Sequence, residues 1–492
     1  MPNRIVHGIG WTTMSSVVRN IVLLLQLAVL TRFLDKSDFG IVAIAHLFVG
    51  FTTLFLDMGI SAGIIHRQII SNKEYSSLFW LNIFFGVVLT SGLYFMAPFI
   101  TAGYHSDDLT NVVQLICFTI FLNALGTQQR TYCQKKLLFA RLAIIEIVGA
   151  IITLTVAVST AMIGYGVYSL AYSTIAGAMV INISHFVIGI IKDSRLQLHF
   201  SHSETLPFLK IGIYQVGSSL LDFFTRELDT LIVSATLGLN FLGVYNLAKR
   251  IPTALYSFIQ PIVNRVFAPI LAEKQDVIEI LKSSYMKLSK TLSWISFPMY
   301  LFLAAISPTI ISVVFGTNYL DGVPVMIVFC LRYAFNGVNG VCGALQIATG
   351  RTDIGLKWTI YLVVSTAVVY YVTSYFGIIS FLCGICALTF VNVIMGWYMQ
   401  FKEMVGVAFL EYLTIYSRAF IICICLSIVV FFIYPKPSIV YSIVSGMCYF
   451  VIFFFLILKS KDGNEILDLM RKMNFPVNIV HLLELTKKQI KI

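Results

Sequence analysis

Asp222, Arg226, Glu227 and Asp229 stand within a stretch, Ser218 to Arg250, that is apolar enough to lie in a bilayer and that also carries Lys249 and Arg250. At about 100° per residue, Gln215, Ser218, Asp222, Arg226 and Asp229 share one face of a helix, and only Glu227 points roughly the other way. A charge at bilayer depth costs on the order of 3 kcal/mol even on the gentler insertion scale, so such a stripe persists only where it faces protein partners or water. The chemistry on offer is recognition of charge along a polar path through a membrane.

Counted conservatively, ten ionisable residues fall inside apolar spans: Arg19, Arg226, Lys249, Arg250, Arg332, Asp57, Glu146, Asp222, Glu227 and Asp229. Facing lipid they would cost roughly 30 kcal/mol, more than the 5–15 kcal/mol by which folded domains are stable, so they turn inward or find partners. Arg226 can pair with Asp222 and Asp229 on its own helix, a self-neutralised stripe that merely locks helices together. That account does not reach Arg19, Lys249, Arg250 and Arg332, for which acids are fewer. Surplus cations in a wet cavity imply an anionic ligand, and guanidinium forks match phosphate oxygens. Asp57, Glu146, Asp222 and Asp229 are the candidates to carry a coupling proton or sodium ion, or they balance the cations. Arg32, Arg265, Lys290 and Arg418 sit near span ends, where they can snorkel and anchor.

Catalytic constellations are poor, and the expectation is a protein that is not an enzyme and has no cofactor or metal. Gly350 to Lys357 resembles a phosphate-binding loop, but its lysine is one place late and Trp358 replaces the hydroxyl residue. His199 and His202 beside Glu204 make a weak metal pattern. Cys383 and Cys386, two of nine cysteines, form a C-x-x-C inside an expected helix, where small packing residues are the better reading.

The elements that must hold these residues are membrane helices. Hydrophobic residues make up 58% of the 492, charged residues 12%, and the mean hydropathy is +0.87. A span needs roughly 20 apolar residues, and fourteen are expected, near 9–33, 38–64, 78–101, 110–129, 142–163, 166–190, 208–236, 241–267, 288–314, 323–348, 356–375, 378–400, 415–434 and 438–458. Basic residues crowd every second connection: Arg67 and Lys73, then Lys135, Lys136 and Arg141, then Lys192 and Arg195, then Lys274, Lys282 and Lys287, then Arg351, Lys357 and Lys402. By the positive-inside rule both termini are cytoplasmic, and the net charge of +11 reflects topology and anionic headgroups, with no nucleic-acid partner expected. Met1 to Arg4 leads straight into the first span, which is expected to be retained and not cleaved.

Sliding the sequence by 203 positions brings Ser15-Ser16 onto Ser218-Ser219, Arg19 onto Asp222, Gln26 onto Asp229, Phe39-Gly40 onto Leu242-Gly243 and His46 onto Lys249. In both copies the second helix carries a polar face, His46, Gly50, Thr53 and Asp57 in one and Lys249, Thr253, Tyr256 and Gln260 in the other. The expected architecture is an all-α polytopic membrane protein: two parallel six-helix repeats, 1–203 and 204–405, forming lobes around a central cavity, then an added helix pair at 406–458. A basic tail, 459–492, reads as an amphipathic helix on the inner leaflet, or as a frayed end. Pro252, Pro261 and Pro269 crowd the eighth span, where they suit a bending segment.

Asp38-Phe39-Gly40, Asp57-Met58-Gly59-Ile60-Ser61, the run from Glu74 to Asn82, Leu242 to Ala248 and Gly350-Arg351 resemble the Wzx-type flippases of the multidrug/oligosaccharidyl-lipid/polysaccharide (MOP) exporter superfamily. The similarity covers essentially all fourteen spans and is nearest the colanic-acid and teichuronic-acid exporter branch. It implies a flippase in the bacterial cytoplasmic (inner) membrane that moves undecaprenyl-diphosphate-linked oligosaccharide units from the inner to the outer leaflet by alternating access; with no nucleotide motif in the sequence, the work is expected to come from a proton or sodium gradient or from the substrate's own gradient. Its partners would be the lipid-linked oligosaccharide, membrane lipids and the polysaccharide assembly machinery. Carried onto this sequence, the resemblance assigns the diphosphate to Arg19 and Arg250, with Lys249 as neighbour; Arg226 and Arg332 are added from the helical faces. The acid-rich seventh helix departs from the family's pattern. A multidrug or cation antiporter of the same superfamily is the alternative, and a membrane polymerase or ligase lies outside the class.

Overall fold

The computed structural model describes residues 2–67, 70–104, 106–193, 196–432 and 439–459, so the expected amphipathic tail lies outside the described residues beyond Lys459. Among the described residues every regular element is helical. The first eight α-helices are α1 (Pro2–Leu30), α2 (Lys36–Asp57), α3 (Ile60–His66), α4 (Asn72–Thr101), α5 (Asp107–Ile116), α6 (Phe118–Lys135), α7 (Phe139–Ile163) and α8 (Tyr168–Ile188). Two long helices follow, α9 (His202–Thr236) and α10 (Gly238–Ala272), then α11 (Ile278–Ala305), α12 (Ser307–Val314), α13 (Val323–Asn339) and α14 (Cys342–Thr349). The chain continues with α15 (Thr352–Ser374), α16 (Ile378–Gly396), α17 (Lys402–Val405), α18 (Phe409–Phe432) and α19 (Ile439–Lys459).

Eleven helical stretches of the described residues are long and apolar enough to cross a membrane, or twelve if α11 and α12, bent by 63° at their junction, count as one span. Against the fourteen expected, the two missing from this count are α9 and α10. Each is 35 residues long, about 52 Å at 1.5 Å per residue, longer than a bilayer crossing needs. The expected span at 110–129 runs from Asp107 to Lys135, with a break at Cys117, and so brings Arg130 into the helix. Helix α10 continues from Gly238 to Ala272 through Pro252, Pro261 and Pro269.

Two compact units emerge. The first holds residues up to Leu247 together with Val314–Gly316 and Val363–Ile378; the second holds Ala248–Val313, Thr317–Leu362 and the described residues from Ile379 on. In the first unit α7 packs on α1 and α8, α6 lies between α4 and α8, and α9 runs along α2 and α3. In the second, α11 packs against α13 and α18, and α19 against α18.

Several motif residues are explained by what their backbones must do. Asp38 Oδ2 accepts from the Asp35 N–H at 3.0 Å and so caps the start of α2. Two residues on, Gly40 of α2 and Gly243 of α10 mark a close crossing of the two helices: a Cβ on Gly40 would overlap the Leu239 carbonyl, and a Cβ on Gly243 would overlap the Lys36 carbonyl. Membrane helices approach this closely only through small residues. Gly59, at φ +73°, sits at the break between α2 and α3 and leaves no room for a Cβ against Gly212 of α9.

The run from Glu74 to Asn82 fastens the segment that leads into α9. Ser76 Oγ accepts from the Gln197 N–H (2.8 Å), Trp80 donates to the Gln197 carbonyl (3.0 Å), and Ser77 Oγ accepts from the Ser201 N–H (3.0 Å) while donating to Glu204 (2.6 Å). The Ser77 hydroxyl, opposed by desolvation and helped by His199 at 3.2 Å, holds the Glu204 carboxyl below the usual glutamate range.

Candidate functional site

Arg19 in α1 lies 3.6 Å from Glu146 in α7, and Glu146 also receives a 2.9 Å hydrogen bond from Ser15 one turn earlier in α1. The spacing of four residues puts Ser15 and Arg19 on one face, which is why one carboxylate meets both. A third helix contributes Arg130, whose guanidinium donates to the other Glu146 oxygen at 2.8 Å. Glu146 is 13% exposed, while Arg19 and Arg130 are 43% and 47% exposed. The expected cation Arg19 and the expected acid Glu146 are thus brought together, and the sequence reading missed Arg130. Its signal was the polar run Gln128-Gln129-Arg130 at the end of an apolar segment.

Asp57 is the last residue of α2, ahead of the left-handed pair Met58 (φ +42°) and Gly59. Its carboxylate accepts from the Ser61 hydroxyl at 2.6 Å and from the Ser61 N–H at 3.2 Å, so it satisfies a free donor at the start of α3. The Ser61 hydroxyl also lies 2.9 Å from the Thr131 hydroxyl, tying the break to α6 beside Arg130.

Helix α9 divides its stripe. Asp222 and Arg226 are exposed, whereas Asp229, in the same expected face, is 3% exposed. Asp229 Oδ2 accepts from the Tyr245 hydroxyl of α10 at 2.8 Å, Oδ1 accepts from the Thr230 N–H at 2.8 Å, and Glu227 accepts from the Thr230 hydroxyl at 3.2 Å. Asp229 therefore joins α9 to α10, a role that its period alone did not reveal.

The second unit gathers Lys249 and Arg332 around one ring. Lys249 Nζ is 5.8 Å and the Arg332 guanidinium carbon 5.9 Å from the centroid of Phe329, which is fully buried in α13. The electron-rich ring face favours a cation at such distances. One and two turns further along α10, Thr253 donates to the Tyr333 hydroxyl (3.1 Å) and Tyr256 lies 5.0 Å from the Tyr333 ring. Gln260 donates to the Gly340 carbonyl at 3.2 Å. The polar face expected of this helix is real, and it packs against α13. Arg250, its neighbour in sequence, is exposed.

The arrangement presents exposed positive charge at Arg19, Arg130 and Arg250; among the described residues no group of three His, Cys, Asp or Glu side chains is placed to hold a metal ion. Of solved structures, lipid II flippase MurJ in an inward closed conformation superposes with a TM-score of 0.70 at 13% identity, covering 92% of this chain and 99% of that one. An inward-facing multidrug resistance MATE family transporter of the MOP superfamily gives 0.55 at 13% identity over 78% and 97%. At such identities the likeness is one of fold. In sequence, the chain is 26% identical over 414 residues to lipopolysaccharide biosynthesis protein WzxC of Escherichia coli (strain K12), covering 83% of each chain. It is 27% identical over 370 residues to teichuronic acid biosynthesis protein TuaB of Bacillus subtilis (strain 168), covering 72% of this chain and 73% of that one. Residues 29–324, well over half of the chain and including every candidate but Arg19 and Arg332, match the family described as polysaccharide biosynthesis protein, and it is to this family that the chain belongs.

Proposed function

We propose that this protein is a flippase that carries undecaprenyl-diphosphate-linked oligosaccharide units from the inner to the outer leaflet of a bacterial cytoplasmic membrane, for surface polysaccharide synthesis. The observation that carries the reading is the exposed guanidinium pair of Arg19 and Arg130 on apolar helices of a chain from a polysaccharide biosynthesis family. Exposed cations at such positions are stable only beside water or an anion, and a diphosphate is the anion that such a family's lipid-linked substrates would present. MurJ, whose fold is shared, is named for flipping another lipid.

The finer architecture belongs to the same proposal. With the bent pair joined and α9 and α10 taken as spans, the helices number the expected fourteen. The two six-helix repeats are 1–203 and 204–405, with 406–458 added. Support comes from the contacts of Gly40 with Leu239 and of Gly243 with Lys36, because the shift of 203 carries Gly40 onto Gly243 and Lys36 onto Leu239 and so exchanges the two contacts. The repeats act as lobes that expose an anion site alternately to the two leaflets, with both termini cytoplasmic. The headgroup site comprises Arg19, Arg226, Lys249, Arg250 and Arg332; Asp57, Glu146, Asp222 and Asp229 are the positions for a coupling proton or sodium ion. The assembly machinery would receive the exported unit.

Deleting the gene should leave lipid-linked units on the cytoplasmic leaflet while the cell surface loses a polymer. Arg19→Ala or Arg250→Ala should abolish export with the protein still in the membrane. Full export by both variants removes diphosphate capture, and drug resistance on overexpression with a normal surface polymer favours an antiporter.

A further inference from the structure

The carboxylate of Glu146 is the meeting point of three helices, and its two oxygens are used differently. Oε2 takes the Ser15 hydroxyl at 2.9 Å and faces the Arg19 Nε at 3.6 Å; Oε1 takes Arg130 Nη2 at 2.8 Å. A guanidinium has five N–H donors in a planar fork. Arg130 spends one on Glu146, and Arg19, at 3.6 Å, is held by charge beyond ordinary hydrogen-bond length. Among the described residues Glu146 is the carboxylate that pairs with either arginine. Two cations face one anion, so one positive charge is left over. The shielding is lopsided too: the acid is covered, while both forks stand open.

That asymmetry distinguishes this cluster from a buried ion pair whose partners are both saturated. A covered carboxylate with two open guanidiniums keeps the forks in place while leaving most donors for a second anion. A diphosphate can give each fork the oxygens of its own phosphorus atom, whereas a monophosphate must divide the oxygens of one phosphorus between both forks.

We propose that Arg130 is a headgroup-binding residue which, with Arg19, selects a diphosphate over a monophosphate, and that Glu146 is the positioning residue that holds both forks and competes with the incoming headgroup. The inference rests on the flippase reading and adds to it a residue, a role for Glu146 and a rule of selectivity.

The test uses the full-length protein in detergent, with undecaprenyl diphosphate, undecaprenyl phosphate and inorganic pyrophosphate as probes. The wild type should bind the lipid diphosphate at least tenfold more tightly than the lipid monophosphate. Arg130→Ala should bring the two affinities within about threefold, a change that a general folding defect, weakening both alike, would not produce; Arg130→Lys should restore part of the difference. Glu146→Gln keeps an acceptor for Arg130 but removes the competing charge, so it should tighten diphosphate binding several-fold. Pyrophosphate should compete with the lipid in the wild type and less well in Arg130→Ala, which separates headgroup capture from tail binding. Full discrimination in Arg130→Ala, or weaker diphosphate binding in Glu146→Gln, overturns the inference while the flippase reading stands. A wild type that binds neither lipid phosphate overturns both.

Discussion

Asp229 and Asp222 are seven residues apart on one face of α9, yet their surroundings are opposite. Asp222 is exposed, and Asp229 is buried with a hydrogen bond from Tyr245. A hydrogen bond to a carboxylate contributes about 1.5–3 kcal/mol, and leaving the buried acceptor short of it costs at the upper end. Tyr245→Phe should therefore lower the midpoint of thermal unfolding in detergent by an amount corresponding to about 2 kcal/mol, whereas Asp222→Asn should leave it unchanged. An unaltered midpoint for Tyr245→Phe would show that the Asp229 carboxylate is satisfied elsewhere. Residues of this kind mark the boundary of what was legible. Charge and period identified the stripe, but period is blind to a partner on the next helix, and Tyr245 is an ordinary aromatic in sequence. Arg130 was missed for a different reason: hydropathy set the span's end at residue 129, one short of it, while the helix persists to Lys135 because polar Gln128 and Gln129 are buried in the helix contact. Tyr75 donates to Gln129 at 2.8 Å, and Gln128 donates to the Tyr75 carbonyl at 2.7 Å.

Helices are where sequence was most informative and where motifs changed their meaning. Asp38-Phe39-Gly40, Asp57 to Ser61 and Leu242 to Ala248 were read as family marks; in the fold they are a cap, a helix break with its own cap, and a close crossing. None of these needs a ligand to explain it. The crossing of α2 and α10 gives a sharp expectation, because each glycine faces the other helix's backbone and a carbonyl cannot rotate away as a side chain can. Gly40→Ala and Gly243→Ala should each destabilise by about 1–3 kcal/mol, the usual range for overpacking. Since the two contacts are reciprocal, their effects should be similar. The double variant should cost clearly less than the sum, because helices already pushed apart by one Cβ accommodate the second. Thermal unfolding of the four proteins measures this cycle. Strict additivity would mean that the glycines meet independent neighbours.

At the scale of the whole chain, apolar composition announced a membrane protein and hydropathy placed fourteen spans, of which the described residues supply twelve by length and apolar composition when the bent pair is joined. Helices α9 and α10, at 35 residues each the longest among the described residues, are not in that number. Their charges are what a recognition path requires, and Asp229 meets its cost through Tyr245. Whether they cross cannot be judged from the other connections, because two consecutive spans return the chain to its starting side and leave every later loop where it was. Only the junction at Leu237 changes side. Asn240, exposed in the first turn of α10, and Asp276, exposed after its end, are suitable reporters. In a variant with all nine cysteines replaced, Asn240→Cys should react with a membrane-impermeant maleimide added to intact cells or spheroplasts, and Asp276→Cys should react only after the membrane is opened. If both cysteines are protected until then, α9 and α10 remain on the cytoplasmic side. The chain would then have twelve spans, and the stripe from Asp222 to Asp229 would lie outside the transport path.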